Sequence, residues 1–296
     1  YLNSVAAASL KNSNDSLAFN KFRQEICFGT ANSDAVLVDS LNSIYTRTVK
    51  LLKYLKSTRP SENWSQYLLG DNTMDWSKII VGGHSQGAGH AAYLAKKYRV
   101  ERVLLFSGPN DYSDHFSNSA NWLRQPGKTP VINHFAYLSL NDEVVDFSKQ
   151  FTNLKGLGML MNDDSTHIDP ITSPFMNSHF LYTTQKPGIV ILNHNVPIKL
   201  STINNNVWTY LLTSTIITDL NEQILKPKIS LYPNPVSSIL HLKTSNIKDD
   251  KTYTLRNLMG KEIVSGYFDD HIDLSLFKAG IYYLQIDDSF FKIVKQ

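Results

Sequence analysis

The chain has 296 residues, 42% of them hydrophobic, which is enough for two soluble cores, and its formal net charge is +3. Its Lys and Arg residues are scattered, which excludes an electrostatic footprint for nucleic acid or an anionic membrane, and no apolar run approaches the length of a membrane span. The one cysteine, Cys27, excludes an internal disulfide and a cysteine metal cluster, and reads as a small buried apolar side chain.

The chain begins at Tyr1, and "YLNSVAAASL" lacks the basic start and sustained apolar core of a signal peptide. Residues 34–57 space Val38, Leu41, Ile44, Tyr45, Val49, Leu52 and Leu55 helically, with Asp34 as the expected cap. Ile79, Ile80 and Val81 form a short β-branched run that fits a strand buried on both faces of a parallel sheet. From Ala88 the chain favours helix, with Lys96, Lys97 and Arg99 placed at the negative end of its dipole. Between the two lies Ser85, flanked by Gly83 and Gly87, at the apex of a very tight strand-to-helix turn. Further strands are expected at 102–108, 132–140 and 188–194. The connection over 110–130 is long and carries Phe116 and Trp122. Helical and buried-strand patterns end within residues 214–228, which read as a linker. From Ile229 the pattern has period two, with turn glycines at 260, 266 and 280, and predicts a small antiparallel all-β sandwich over 229–296. Pro233 and Pro235 restrict its entry to an edge or turn.

The stretch "KIIVGGHSQGAGHAAYLAKKY" (78–98) resembles the nucleophile elbow of the α/β-hydrolase family. The resemblance implies an α/β fold over 1–213, a parallel sheet with flanking helices, with Ser85 as nucleophile and the Gln86 N–H as oxyanion donor. The family sheet has about eight strands and the sequence shows four, so the first strands, and the loop with a second oxyanion donor, are expected upstream of Tyr1. Family order is serine, acid, histidine. Asp142 follows the strand two after the elbow strand, the family's usual place for the acid. Asp111, one strand earlier, stays open as an alternative, and Glu143 and Asp146 lie close by. His84 and His90 belong to the elbow, His115 and His134 precede the acid, and His241 and His271 lie in the C-terminal segment. His167, His179 and His194 remain, and resemblance to secreted bacterial α/β-hydrolases favours His179 in "PFMNSHFLYTT".

These residues imply a carboxylic ester hydrolase working through an acyl-enzyme on a small-molecule, glycan or lipid ester, with Phe116 and Trp122 as expected substrate contacts. A serine peptidase on the same fold is an alternative, and so is a surface binding protein that keeps the scaffold without catalysis. No calcium loop, zinc spacing or phosphate loop argues for a cofactor or metal. Residues 229–296 resemble the C-terminal sorting domain of type IX secretion cargo in "LYPNPVSSILHL", "YTLRNLMGKEIVSG", "IDLSLFKAGIYYLQI" and the terminal "KIVKQ". That resemblance implies recognition by the type IX machinery and export to the medium or outer surface of a diderm bacterium, usually with removal of the module.

Overall fold

The computed structural model describes residues 6–159, 165–186, 192–214, 230–243, 252–257, 261–268, 270–286 and 289–296. It divides into two compact units, Tyr1–Ile217 and Thr218–Gln296. Apart from Ser214, the linker expected over 214–228 lies outside the described residues.

The first unit opens with helix α1 (Ala18–Phe28), followed by α2 (Ile44–Thr58). The helix expected from Asp34 starts ten residues later, where Ser43 accepts the Thr46 N–H as N-cap. The preceding stretch stays irregular because the buried Glu25 carboxylate takes the N–H groups of Asn32, Ser33 and Val38, bonds a helix would have supplied itself. Strand β1 (Ile80–His84) then leads into α3 (Gln86–Lys97). Ser85 between them has φ 56° and ψ −118°, a sparsely populated conformation for a side chain with a Cβ. A Cβ on Gly83 would lie 2.2 Å from the Gly87 carbonyl carbon, so the turn closes this tightly only with glycine at 83. Gly87 itself faces open space; its backbone is what Gly83 touches.

After β2 (Arg102–Phe106) comes a minimal hairpin, β3 (Tyr112–Ser113) with β4 (Asn118–Ser119), and the single turn α4 (Asn121–Arg124). Then follow β5 (His134–Ser139), α5 (Phe147–Leu157), β6 (Ser165–His167), β7 (Phe180–Thr183) and α6 (Thr202–Thr213). Five strands form one parallel sheet in the order β1-β2-β5-β7-β6. Of the strand expected over 188–194, residues 188–191 lie outside the described residues, and Asn193–Ile198 form a 3-10 turn. β6 and β7 were not expected.

Alternate strand residues feed two cores. Val103, Leu105, Ala136, Leu138 and Phe180 pack with Phe19, Phe22 and Ile26 of α1, the alanines of α3 and Leu154 of α5. Leu104, Phe135, Tyr137 and Leu181 face the other way, against Val207, Tyr210 and Leu211 of α6. Helices therefore cover both faces of the sheet, which is why β5 is buried at every position.

The second unit is all β. β11 (Glu262–Tyr267), β10 (Thr252–Arg256), β13 (Gly280–Ile286) and β14 (Ser289–Lys295) form one antiparallel sheet, in the order β11-β10-β13-β14. β12 (His271–Asp273), β9 (Ile239–Lys243) and β8 (Ser230–Tyr232) form another, in the order β12-β9-β8. Val236, Leu240, Leu255, Leu284 and Ile293 are fully buried in their shared core.

Candidate active site

Parallel strands aim their carboxyl ends at one edge of the sheet, where loops gather the polar side chains. Ser85 follows β1 at that edge, and its N–H donates to the Phe106 carbonyl at the end of β2 (2.8 Å). Gln86 opens α3, so its N–H has no acceptor within the helix and stands at the positive end of the dipole.

Asp142 lies in the loop after β5. Its Oδ1 accepts the N–H groups of Val144 and Val145, both at 2.9 Å, and its Oδ2 accepts the Gln150 amide at 2.8 Å. The same Oδ2 lies 2.6 Å from Nδ1 of His194. Burial alone would raise the pKa of this carboxyl, but the bonds from His194, Val145 and Gln150 outweigh it and hold the group below the usual carboxylate range.

His194 is 5% exposed and fixed from several sides. The neighbouring Glu143 carboxylate accepts the N–H groups of Asn193 (2.8 Å) and His194 (3.1 Å). The His194 carbonyl takes the Ser107 hydroxyl at 2.7 Å and Nε2 of His84 at 3.0 Å. His84 immediately precedes Ser85, and its ring packs 4.7 Å from the His194 ring. Burial lowers the pKa of His84, outweighing the bond to the His194 carbonyl, which raises it.

The expected pairing of Asp142 with His179 is not what the structure shows. His179 directly precedes β7 and so sits at the amino edge of the sheet, away from the loops after β1 and β5. There its Nδ1 meets the His134 carbonyl at 3.1 Å and its ring stacks on Phe135 at 4.2 Å. His194, kept open as an alternative, holds the carboxylate instead. His167, the other alternative, pairs with Asp169 at 3.0 Å.

Asp111 is likewise committed elsewhere. It forms a fully buried two-pronged ion pair with Arg23 of α1, Nε to Oδ2 at 3.0 Å and Nη2 to Oδ1 at 2.5 Å, and accepts Nε1 of Trp122 at 2.8 Å. Trp122 is therefore buried structure and not an exposed substrate contact, while Phe116 is 47% exposed. Asp146 caps α5 through the Ser148 N–H. Arg23 also donates from Nη1 to the Gln86 carbonyl at 2.8 Å, and Gln86 Oε1 accepts the Ala7 N–H at 2.9 Å. The segments before the elbow thus grip its first helical turn, a role the sequence reading did not assign to them.

Among the described residues no group of three or more His, Cys, Asp or Glu side chains is placed to hold a metal ion, and no helix is long and apolar enough to cross a membrane.

In the second unit, the antiparallel strands from Ser230 to Lys295 carry the motifs singled out in the sequence, and residues 230–296 match the family described as the secretion system C-terminal sorting domain. These residues are a type IX sorting domain. The sorting domain implies interaction with the type IX secretion machinery and a secreted or cell-surface protein. A search of curated proteins gives no match to the chain.

Proposed function

We propose that the first unit is a serine hydrolase acting on carboxylic esters, with Ser85 as nucleophile, His194 as base and Asp142 as the carboxylate behind it. The observation that carries this reading is the Asp142–His194 pair at 2.6 Å, whose imidazole packs 4.7 Å from the ring of His84, the residue before a Ser85 turn with φ 56° and ψ −118°. A serine hydroxyl is a weak nucleophile until a base takes its proton, and a carboxylate on Nδ1 fixes the tautomer that leaves the Nε2 lone pair free to do so.

In the reaction, Ser85 Oγ bonds to the ester carbonyl carbon as its proton passes to His194 Nε2, and the carbonyl π electrons move onto oxygen. The Gln86 N–H donates to that oxyanion. Collapse breaks the bond to the alkoxide, which leaves with the proton from Nε2. Water then repeats the sequence on the acyl-enzyme and frees the acid. The sorting domain carries this chemistry to substrates outside the cell.

The test is turnover of p-nitrophenyl acetate together with fluorophosphonate labelling. Ser85→Ala and His194→Ala should each lose on the order of a millionfold in kcat, because triad members act as a unit. His179→Ala should stay within roughly threefold, being a packing residue at the far edge of the sheet. An unchanged rate in Ser85→Ala would sink the reading, and a silent His194→Ala beside an inactive His179→Ala would restore the other base. A panel that turns over peptides and spares esters would make the chain a peptidase.

A further inference from the structure

Asn110 stands in the loop after β2, and its Nδ2 lies 3.4 Å from Ser85 Oγ. Its side-chain oxygen is buried and has no hydrogen-bond partner. A buried acceptor left unpaired is destabilising, so an amide held this way points to a role besides stability. Three further buried polar atoms lack partners among the described residues: Ser139 Oγ, Gln150 Oε1 and Asn153 Oδ1. They belong to the segments that build the same edge. Ser139 ends β5 ahead of Asp142, Gln150 donates to Asp142, and Asn153 donates to the Pro109 carbonyl at 2.9 Å.

We infer that Asn110 Nδ2 is a second oxyanion donor, a side-chain amide working beside the Gln86 N–H. The inference rests on the serine-hydrolase reading above. An effective donor must be fixed before charge develops, because reorganisation during the reaction forfeits its advantage. Asn110 is fixed from both sides. Pro109 before it is held by Asn153, and Asp111 after it is locked by Arg23 and Trp122, with the Asp111 carbonyl accepting the Ala120 N–H at 2.7 Å. The guanidinium that grips Asp111 also bonds the Gln86 carbonyl. One buried cation therefore sets the spacing between the two donors. In the ground state Nδ2 stands at a long 3.4 Å from Oγ, and the tetrahedral oxyanion forms two bonds beyond that atom, on the former carbonyl carbon, so the amide has to donate to that oxygen and not to Oγ.

The experiment uses the full chain, with one sample of the wild type tested for fluorophosphonate labelling at Ser85 and a separate, unlabelled sample assayed on p-nitrophenyl acetate. Asn110→Ala should lower kcat on the order of 100–1000-fold, as loss of an oxyanion donor does, while KM changes less than about twofold. Binding of a trifluoromethyl ketone, which forms a tetrahedral anion on serine, should weaken by the same factor. Asn110→Asp keeps the shape and supplies only acceptors, so it should be at least as slow as the alanine variant. An aspartate variant with near wild-type kcat would instead make the residue an acceptor that orients the Ser85 hydroxyl, and would overturn the inference. So would an alanine variant within threefold of wild type, or a loss confined to KM. If both variants lose their cooperative melt, Asn110 is a packing residue and the inference fails. A wild type that is neither labelled at Ser85 nor active removes the hydrolase reading itself, an outcome distinct from each of these.

Discussion

Replacing Arg23 by Met should destabilise the first unit far more than its position on a surface-starting helix suggests. Arg23 and Asp111 are both fully buried, and removal of the cation leaves an enclosed carboxylate with, among the described residues, the Trp122 N–H as its remaining side-chain partner. Breaking one side of a buried pair costs about 3–5 kcal/mol. At roughly 2–4 °C per kcal/mol for a unit of this size, the melting temperature should fall by roughly 6–20 °C. Replacing both residues, Arg23→Met with Asp111→Leu, removes the stranded charge, so most of the loss should return, short of about 1 kcal/mol for the orphaned Trp122 donor. Urea unfolding followed by tryptophan fluorescence reads this unit alone, because Trp64, Trp76, Trp122 and Trp208 all precede the sorting domain. A single variant that costs under about 1 kcal/mol, or a double variant no more stable than the single, would refute the argument from uncompensated charge.

The remaining expectations use the same structure. Burial lowers the His134 pKa to about 4 while the unfolded chain keeps about 6.5, so below that value the unfolded state binds the extra proton; stability should fall between pH 6.5 and about 4, and a His134→Gln melt series should show a flatter slope there. The Asp142 carboxyl, held below its usual range, adds stability that is present above that range and disappears as pH falls through its lowered value. Burial pushes the Cys27 thiol up to about 12, so iodoacetamide should label it only as fast as the unit opens; prompt labelling of the native chain would contradict its environment. Gly89→Ala would place a methyl 2.1 Å from the Arg23 guanidinium, which Asp111 keeps from moving aside, and should cost about 1–3 kcal/mol in the same urea assay. Deleting residues 230–296 should stop export and leave the first unit inside the cell by immunoblot, since that module carries the address.

The elbow was legible because each of its parts has a local signature: a β-branched run, a serine between close glycines and an alanine-rich helix. β2 and β5 were legible for similar reasons, and so was the alternating grammar of the sorting domain. Helix α1 was not, because its buried face includes Arg23 and Glu25, whose partners are distant Asp111 and the loop at 32–38, so charges interrupt the apolar period. The histidine expected beside Asp142 was misplaced over a matter of edges. Chain order left three histidines, and "HFLYTT" already carries the strand run that places His179 before β7 and thus at the amino end of the sheet. Reading that run as a strand would have removed His179 and left the carboxyl-edge candidates. The Asn110 contact has no local signature, since it depends on how the β2 loop approaches the elbow in space.

The adjacent carboxylates Asp142 and Glu143 hold the same residue in different ways, one through the His194 ring and the other through its main chain. A displacement of their short loop therefore removes the ring contact and the main-chain N–H contact together, and leaves His194 held by Ser107 and His84 at its carbonyl. The ring and the main chain of His194 are thus tied to one short stretch of chain, so under the proposed hydrolase reading a change in that stretch would alter the orientation of the ring and the position of its backbone at the same time.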